Sequence, residues 1–307
     1  MSRRNSSIEL YRVLLMLGIV GLHCHVILKP FGRGLDNILA TCVVGFVFIS
    51  GYFGIRLSRK KVARILSIGL YCALIATVLH CAILSGFTLK GFAYIYWWTL
   101  KCFWFLWAYI ALMMIAPVVE KLFTEESVRF LNIAPIVLLV FGWSYLTMFP
   151  KIGELFPSVV GFGPTGVLTL LAIYVVARFI RQIETGRLKW LLERRWLVLI
   201  VVVSATFCWI GFYHYNSPFA LALAFSTFML FKGMHIPVWL GNTVNTIGPS
   251  MFSVYLLHTS GIGYRLIEKM GQFCQWRISC YILSVIVVFT SCIILDLPRR
   301  WIDGKIK

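Results

Sequence analysis

Apolar stretches about as long as a membrane-spanning helix recur along the whole chain, and ten of them are identifiable. A helix needs about 20 apolar residues to cross roughly 30 Å of hydrocarbon. Only 13% of the 307 residues are charged, about half of the roughly 25% usual in soluble domains, so too few polar side chains remain to cover a soluble surface. This excludes a soluble enzyme, a disordered chain and a secreted disulfide scaffold. The predicted spans are residues 9–28, 37–55, 65–84, 92–118, 131–149, 163–180, 196–213, 217–231, 250–267 and 279–297.

The distribution of basic residues predicts the orientation of these spans. An even number of spans places both termini on the same side of the membrane. With the N-terminus in the cytoplasm, 21 of the 29 Lys and Arg residues fall in cytoplasmic segments and 8 in outer ones, as expected when cytoplasmic loops are enriched in positive charge. We therefore predict an all-α integral membrane protein with about ten transmembrane helices, both termini in the cytoplasm, and a single transmembrane domain over residues 1–307.

The net charge of +18 has the same explanation. In a soluble protein such an excess would indicate nucleic-acid binding, but here most cations lie on one predicted side, so we expect the lipid bilayer as a partner and no nucleic acid. The nine cysteines are an odd number without a C-x-x-C pair, which predicts buried thiols rather than a disulfide or metal framework. His23 and His25 would point about 200° apart on one helix, so they cannot share a metal ion.

The first span carries three ionisable residues, Glu9, Arg12 and His23. Such residues are costly inside a bilayer, so each is a candidate for function. Arg12 and His23 are separated by about 1100° of helix rotation and about 16.5 Å of rise. They therefore share a face, with Arg12 near the cytoplasmic surface and His23 in the outer half. In the alternative interpretation, Arg12 extends to the lipid headgroups and His23 bonds a neighbouring carbonyl. Their common face favours a polar path through the bilayer.

Ser50, Tyr52 and Arg56 supply polar groups at the cytoplasmic end of the second span, where the small residues Gly51 and Gly54 permit close helix packing. The dense basic run that follows, residues 59–64, is mostly explained by anchoring on the cytoplasmic side.

Aromatic and imidazole side chains mark two later spans. In the fourth, Trp104 and Tyr109 are followed by Pro117, which is typical of an interfacial aromatic belt and the end of a helix. In the ninth, Tyr255 and His258 are three residues apart and share a helix face.

These segments together resemble the acyltransferase family 3 membrane proteins over nearly the whole chain, and ten spans is the usual number in that family. One departure is Glu120, which stands where many relatives carry a polar amide. The resemblance rests on Arg12 with His23 at its spacing, Ser50-Gly51-Tyr52, Arg56, the segment from Trp104 through Tyr109 to Pro117, and the segment from Ser253 to His258.

The resemblance implies an O-acetyltransferase-like enzyme of the cell (inner, cytoplasmic) membrane. It would move an acyl group, most often acetyl, from cytoplasmic acyl-CoA to a hydroxyl of an envelope saccharide or glycolipid, and so modify envelope polysaccharide. Acetyl-CoA or another acyl-CoA is then a co-substrate, and no cofactor is bound permanently. His23 would be the catalytic residue, as general base or as covalent acyl carrier. The donor- and substrate-binding residues would be Arg12, Ser50, Tyr52, Arg56, Trp104, Tyr109, Tyr255 and His258.

Several alternatives remain open at this point. Arg56, Arg59 and Lys60 suit the phosphates of an acyl-CoA, but a polar path through a membrane also describes a transporter or flippase. His258 is either a second proton relay or a structural hydrogen-bond partner. A catalytically inactive binding or assembly protein is a further interpretation. A membrane acyltransferase of the other large family, built around an Asn and a later His, has only His214 and Asn216 as candidates.

Overall fold

A computed structural model of the protein describes residues 5–29, 31–122, 166–185, 192–212, 215, 217–273 and 277–305. Every regular element within these ranges is helical, in agreement with the predicted all-α class. The predicted span 131–149, His214 and Asn216 lie outside them. Numbered along the described residues, the helices are α1 Ser6–Leu28, α2 Arg33–Ala40, α3 Cys42–Phe53, α4 Arg59–His80, α5 Leu89–Cys102, α6 Trp104–Leu122, α7 Val167–Thr185, α8 Arg194–Ile210, α9 Pro218–Lys232, α10 Val238–Ile247, α11 Met251–His258, α12 Gly261–Phe273 and α13 Arg277–Lys305.

The chain forms two compact units. The first consists of residues 1–32, 60–106 and 236–307, and the second of residues 33–59 and 107–235. The first unit thus combines α1 with α4, α5 and α10 to α13, whereas α2, α3 and α7 to α9 belong to the second.

Helix α1 packs against four helices of the first unit, α10, α11, α12 and α13. It begins at a cap in which the Asn5 side chain accepts a hydrogen bond from the Ser7 N–H at 3.1 Å. It ends at Lys29, whose φ of 48° is left-handed and whose N–H donates to the His25 carbonyl. The two predicted polar residues of this span, Arg12 and His23, therefore both lie on one continuous helix.

In the second unit, α3 packs closely on α7 because of a glycine. A Cβ on Gly51 would lie 2.7 Å from the carbonyl oxygen of Tyr174. Lipid chains are as apolar as leucine side chains, so helices in a membrane associate through such close contacts and through polar groups. The glycine of the Ser50-Gly51-Tyr52 segment thus fixes the approach of these two helices.

Five helical segments in the described part of the chain are long and apolar enough to cross a membrane. Ten spans and a cytoplasmic location of both termini stay predictions. The prediction of one domain over residues 1–307 also stays a prediction. The five segments are Ser6–Leu28, Arg33–Phe53, Arg59–Ser85, Trp104–Lys121 and Ile278–Gly304.

The structure divides two predicted spans. Residues 92–118 form α5 and α6, which meet at Phe103, where ψ of 61° is not helical. The predicted span 250–267 begins at the last residue of a 3-10 turn, Gly248–Ser250, and then contains α11 and the first part of α12. These two helices are separated at Thr259 and Ser260, whose hydroxyls donate to carbonyls of the preceding turn. The expected helix end at Pro117 is also wrong, since α6 continues to Leu122.

Candidate active site

Two histidines from distant parts of the chain meet in the first unit. His23 lies on α1 and His258 is the last residue of α11. Nδ1 of His23 is 2.9 Å from Nε2 of His258, and the ring centroids are 4.9 Å apart. His258 is buried, whereas His23 is partly accessible. The two imidazoles singled out in the sequence are therefore in direct contact.

The hydrogen bonds of this pair determine where the protons lie when both rings are neutral. Nδ1 of His258 is 2.7 Å from the carbonyl oxygen of Val254, and because a carbonyl only accepts, Nδ1 carries the proton. Nε2 of His258 is then an acceptor, and Nδ1–H of His23 donates to it. Nε2 of His23 consequently keeps its lone pair. This is the form of imidazole that acts as a general base.

Aromatic side chains line one flank of the histidine pair. The ring of Tyr255 lies 5.8 Å from that of His258 and 5.1 Å from that of Phe105. Phe105 in turn lies 5.5 Å from Trp104 at the start of α6. The predicted residue Tyr255 thus contacts the histidine pair directly, and Trp104 is connected to it through Phe105 and Tyr255.

Arg12 forms an ion pair within its own helix. Its Nη1 lies 3.2 Å from Oε1 of Glu9, one turn earlier. Glu9 is only 6% exposed and packs on Gly248, where a Cβ would collide with the carboxylate. Arg12 therefore supplies the counter-charge of a buried carboxylate, a role beside the donor binding predicted for it.

The second histidine of α1 has different partners from the first. Nε2 of His25 accepts a hydrogen bond from the Phe31 N–H at 3.2 Å, and its ring stacks on Phe31 at 6.0 Å. It also meets the edge of Tyr281 at 5.9 Å. His25 and His23 are directed to separate surroundings, as two positions on one helix require.

The structure also brings together two predicted residues of the second unit. The hydroxyl oxygens of Ser50 and Tyr109, on α3 and α6, lie 3.2 Å apart. The Ser50 hydroxyl also lies 3.3 Å from the carbonyl of Phe46. Because a carbonyl only accepts, Ser50 donates to Phe46 when both bonds form, and Tyr109 then donates to Ser50.

A cavity of about 800 Å³ lies beside the end of α3 in the second unit. We call it the charged cavity. Four cationic and two carboxylate side chains line it, so its lining carries a net positive charge. The cations are Arg56, Arg178, Arg181 and Lys232, and the carboxylates are Glu120 and Glu184.

Tyr52 is tied to two charged residues of this cavity. Lys232 Nζ donates to its hydroxyl at 2.6 Å, and the hydroxyl donates to Glu184, which also pairs with Lys232. Burial of Glu184 favours a higher pKa, but hydrogen bonds from Lys232 and Tyr52 outweigh it and the pKa of Glu184 lies below its usual value. Burial of Lys232 favours a lower pKa, yet its bonds to Glu184 and Tyr52 raise the pKa above its usual value. Both groups are therefore held charged.

The other carboxylate of the charged cavity, Glu120, pairs with an arginine. Nη2 of Arg178 donates to Oε2 of Glu120 at 2.6 Å, and the Tyr174 hydroxyl donates to Oε1. Arg181, one turn after Arg178, donates to the carbonyl oxygen of Tyr52 at 3.1 Å. Glu120 thus pairs with Arg178, one of the four cations of the cavity.

Several contacts were not predicted from the sequence. The ring of Tyr264 lies 5.5 Å from that of His23, and Glu184 and Lys232 both bind the Tyr52 hydroxyl.

The sequence did contain one indication of the charged cavity. Arg178 and Arg181 are three residues apart, which places both on the same side of α7. Among the described residues, no three His, Cys, Asp or Glu side chains converge as metal ligands would.

Helices long and apolar enough to cross a membrane indicate a membrane protein. The family model described as an acyltransferase domain matches residues 5–297. The chain therefore belongs to acyltransferase family 3 and is a membrane acyltransferase in its general class. Neither the search of curated proteins nor the search of solved structures gives a significant match.

Proposed function

We propose that this protein transfers an acyl group, in the simplest case acetyl, from cytoplasmic acyl-CoA to a hydroxyl of an envelope saccharide or glycolipid. The reaction takes place in the cytoplasmic membrane of the cell, with ten spans and both termini on the cytoplasmic side. His23 is the general base. The observation that carries the proposal is the His23–His258 hydrogen bond, because it leaves Nε2 of His23 free to accept a proton.

The proposed reaction involves His23, His258 and the two substrates. Nε2 of His23 takes the proton of the acceptor hydroxyl while its oxygen forms a bond to the thioester carbon. The C–S bond then breaks, and the coenzyme A sulfur leaves with the proton returned by His23. Throughout, Nδ1–H of His23 remains hydrogen-bonded to His258, which holds the ring in orientation. His258 is thus a positioning residue that also stabilises the protonated ring.

The charged cavity is the proposed site for the phosphates of the donor. An acyl-CoA is polyanionic at its nucleotide end, and arginine binds phosphate through paired N–H groups. Arg56 and Arg181 line this cavity, and Lys232 and Arg178 complete its set of cations. The excess of cations over carboxylates there suits such a ligand.

The predicted aromatic residues suit the acceptor. The Tyr255 ring lies beside His258, and the Trp104 ring lies beside Phe105, which contacts Tyr255. Such flat rings provide apolar contact, and their polar atoms provide hydrogen bonds. We assign Tyr255 and Trp104 to positioning of the acceptor sugar or of the thioester. Ser50 and Tyr109 form a hydrogen-bonded unit that stabilises α3 beside the charged cavity.

The deciding experiment measures transfer of labelled acetyl from acetyl-CoA to native membrane material by the purified protein. We expect His23→Ala to abolish transfer while acetyl-CoA still binds, and Arg56→Ala to weaken donor binding. Lys90→Ala, at an exposed lysine of α5, is the control for loss of one charge. Unchanged turnover in His23→Ala would disprove the mechanism.

Two further measurements test the acceptor and the competing function. Mass analysis of envelope glycans from cells with and without the protein identifies the acylated hydroxyl. In liposomes without any acyl donor, movement of a labelled glycolipid across the bilayer would identify a flippase instead.

A further inference from the structure

A second cavity lies next to the histidine pair in the first unit. It has a volume of about 270 Å³ and is bounded by α4, α11, α12 and α13. Aliphatic side chains form most of its wall, among them Ala76, Leu257, Ile262, Val288 and Leu295. We call it the aliphatic cavity.

The aliphatic cavity adjoins the hydrogen-bond partner of His23. His258 lines it and also accepts the hydrogen bond of His23. Gly263, at the start of α12, lines it as well, and a Cβ there would lie 2.5 Å from the His258 carbonyl oxygen. The close approach of α12 to the end of α11 therefore sets one wall of the cavity beside His258, whose ring contacts His23.

We infer that this cavity receives the hydrocarbon chain of the acyl group, so that donors with medium-length chains bind more tightly than acetyl-CoA. The inference rests on the proposed function. The thioester carbon must lie beside His23 for attack, and the chain attached to that carbon needs apolar space. An apolar cavity is a poor site for water, whereas each buried methylene group increases affinity by up to about fourfold.

The volume sets the length of chain that fits. A methylene group is about as large as a water molecule in the liquid, roughly 30 Å³. A cavity of about 270 Å³ then accommodates a chain of up to roughly eight carbons. Acetyl would occupy only a small part of it. A lipid tail is the competing occupant, because Leu266 and Val287 of the lining are each about 38% exposed.

The test measures dissociation constants of acetyl-, butyryl-, hexanoyl- and octanoyl-CoA by calorimetry on the full-length protein in detergent. For the wild type we expect octanoyl-CoA to bind at least tenfold more tightly than acetyl-CoA. Val288→Phe, which fills the cavity, should reduce this ratio to below about threefold. The matched control is Val202→Phe, at a side chain of α8 that is 58% exposed. The ratio within each variant cancels any loss common to both donors.

A substitution that enlarges the cavity, instead of filling it, keeps the inference testable if Val288→Phe does not fold. Leu295→Ala enlarges the cavity and should shift the tightest binding to chains longer than octanoyl, whereas Leu297→Ala, at a side chain of the same helix that is 49% exposed, should not. Equal binding of all four donors by the wild type, or identical ratios in every variant, would overturn the inference, and a resident lipid tail would give that result. Failure of all donors to bind, acetyl-CoA included, would instead overturn the proposed function.

Discussion

Nδ1 of His23 lies 2.9 Å from Nε2 of His258, although the two residues are 235 positions apart in the chain. The buried ring of His258 is itself anchored to the carbonyl of Val254. This chain of hydrogen bonds has a direction, because it ends on a group that only accepts. A neutral His23 is therefore held with its basic nitrogen on Nε2, away from its partner.

Replacing His258 should reduce turnover without a matching loss of donor binding. A general base contributes about 10²- to 10⁴-fold to a rate, and we expect His258→Ala to lose about 10- to 100-fold in kcat because His23 is no longer oriented. His258→Gln retains an acceptor oxygen near the position of Nε2 and should recover part of the loss. Transfer of labelled acetyl from acetyl-CoA, as kcat and KM separately, checks this.

The control for this prediction is the other histidine of α1. His25→Ala removes a buried ring that contacts Phe31, so it should lower thermal stability and leave kcat per folded molecule within about threefold. A kcat in His258→Ala within about threefold of the wild type would show that the His258 hydrogen bond has no part in the reaction.

The helical class and the placement of Arg12 and His23 on one helix were predictable because they depend on local sequence. Apolar runs near 20 residues predict spanning helices, and the spacing of Arg12 and His23 follows from helix geometry alone. The shared face of Tyr255 and His258 likewise needed only a three-residue spacing.

Other features depend on contacts that one sequence does not encode locally. The pairing of Tyr52 with Glu184 and Lys232 joins three helices. The division of residues 250–267 into two helices depends on Ser260, whose hydroxyl donates to the Leu257 carbonyl. Hydropathy alone predicts one continuous span across this position. Long-range partners and helix breaks of this kind require the packed structure.

Arg299 should be far more important for stability than its neighbour Arg300. Arg299 is 6% exposed and donates to both oxygens of the fully buried Asp296 at 2.6 and 2.8 Å. Arg299→Ala leaves that carboxylate without a counter-charge, and we expect a loss of about 3–5 kcal/mol in the free energy of unfolding. SDS titration of the protein in mixed micelles checks this.

Arg300 provides the matched comparison on the same helix. Its Nη1 is 3.4 Å from the Ser250 hydroxyl, a long contact, so Arg300→Ala should cost about 1 kcal/mol or less. Similar losses in the two variants would contradict the assignment of Arg299 as the partner of a buried charge.

The stabilisation contributed by Glu184 should depend on pH. Its pKa in the folded protein lies below the usual 4.5 because Lys232 and Tyr52 outweigh burial. Stabilisation is therefore complete above about 4.5 and is lost as the pH falls through the folded pKa. Thermal melts should show a lower Tm for Glu184→Gln than for wild type at pH 7 and pH 5, with a difference that shrinks toward pH 3.5. Glu193→Gln, at an exposed pair with Arg195, should show little difference at any of these pH values.

Neutralising Glu120 should strengthen donor binding. Glu120 accepts a hydrogen bond from Arg178 at 2.6 Å within the charged cavity. Glu120→Gln releases Arg178 from this ion pair and removes a negative charge that repels phosphate. The amide oxygen of the glutamine can still accept the hydrogen bond from Tyr174. We expect acetyl-CoA to bind about three- to tenfold more tightly at low ionic strength, and the gain to shrink in 1 M salt because salt screens exposed charges. Glu268→Gln, at a half-exposed carboxylate that does not line this cavity, should change the dissociation constant by less than about twofold. Weaker binding in Glu120→Gln would mean that the carboxylate holds Arg178 in the orientation that binds the donor.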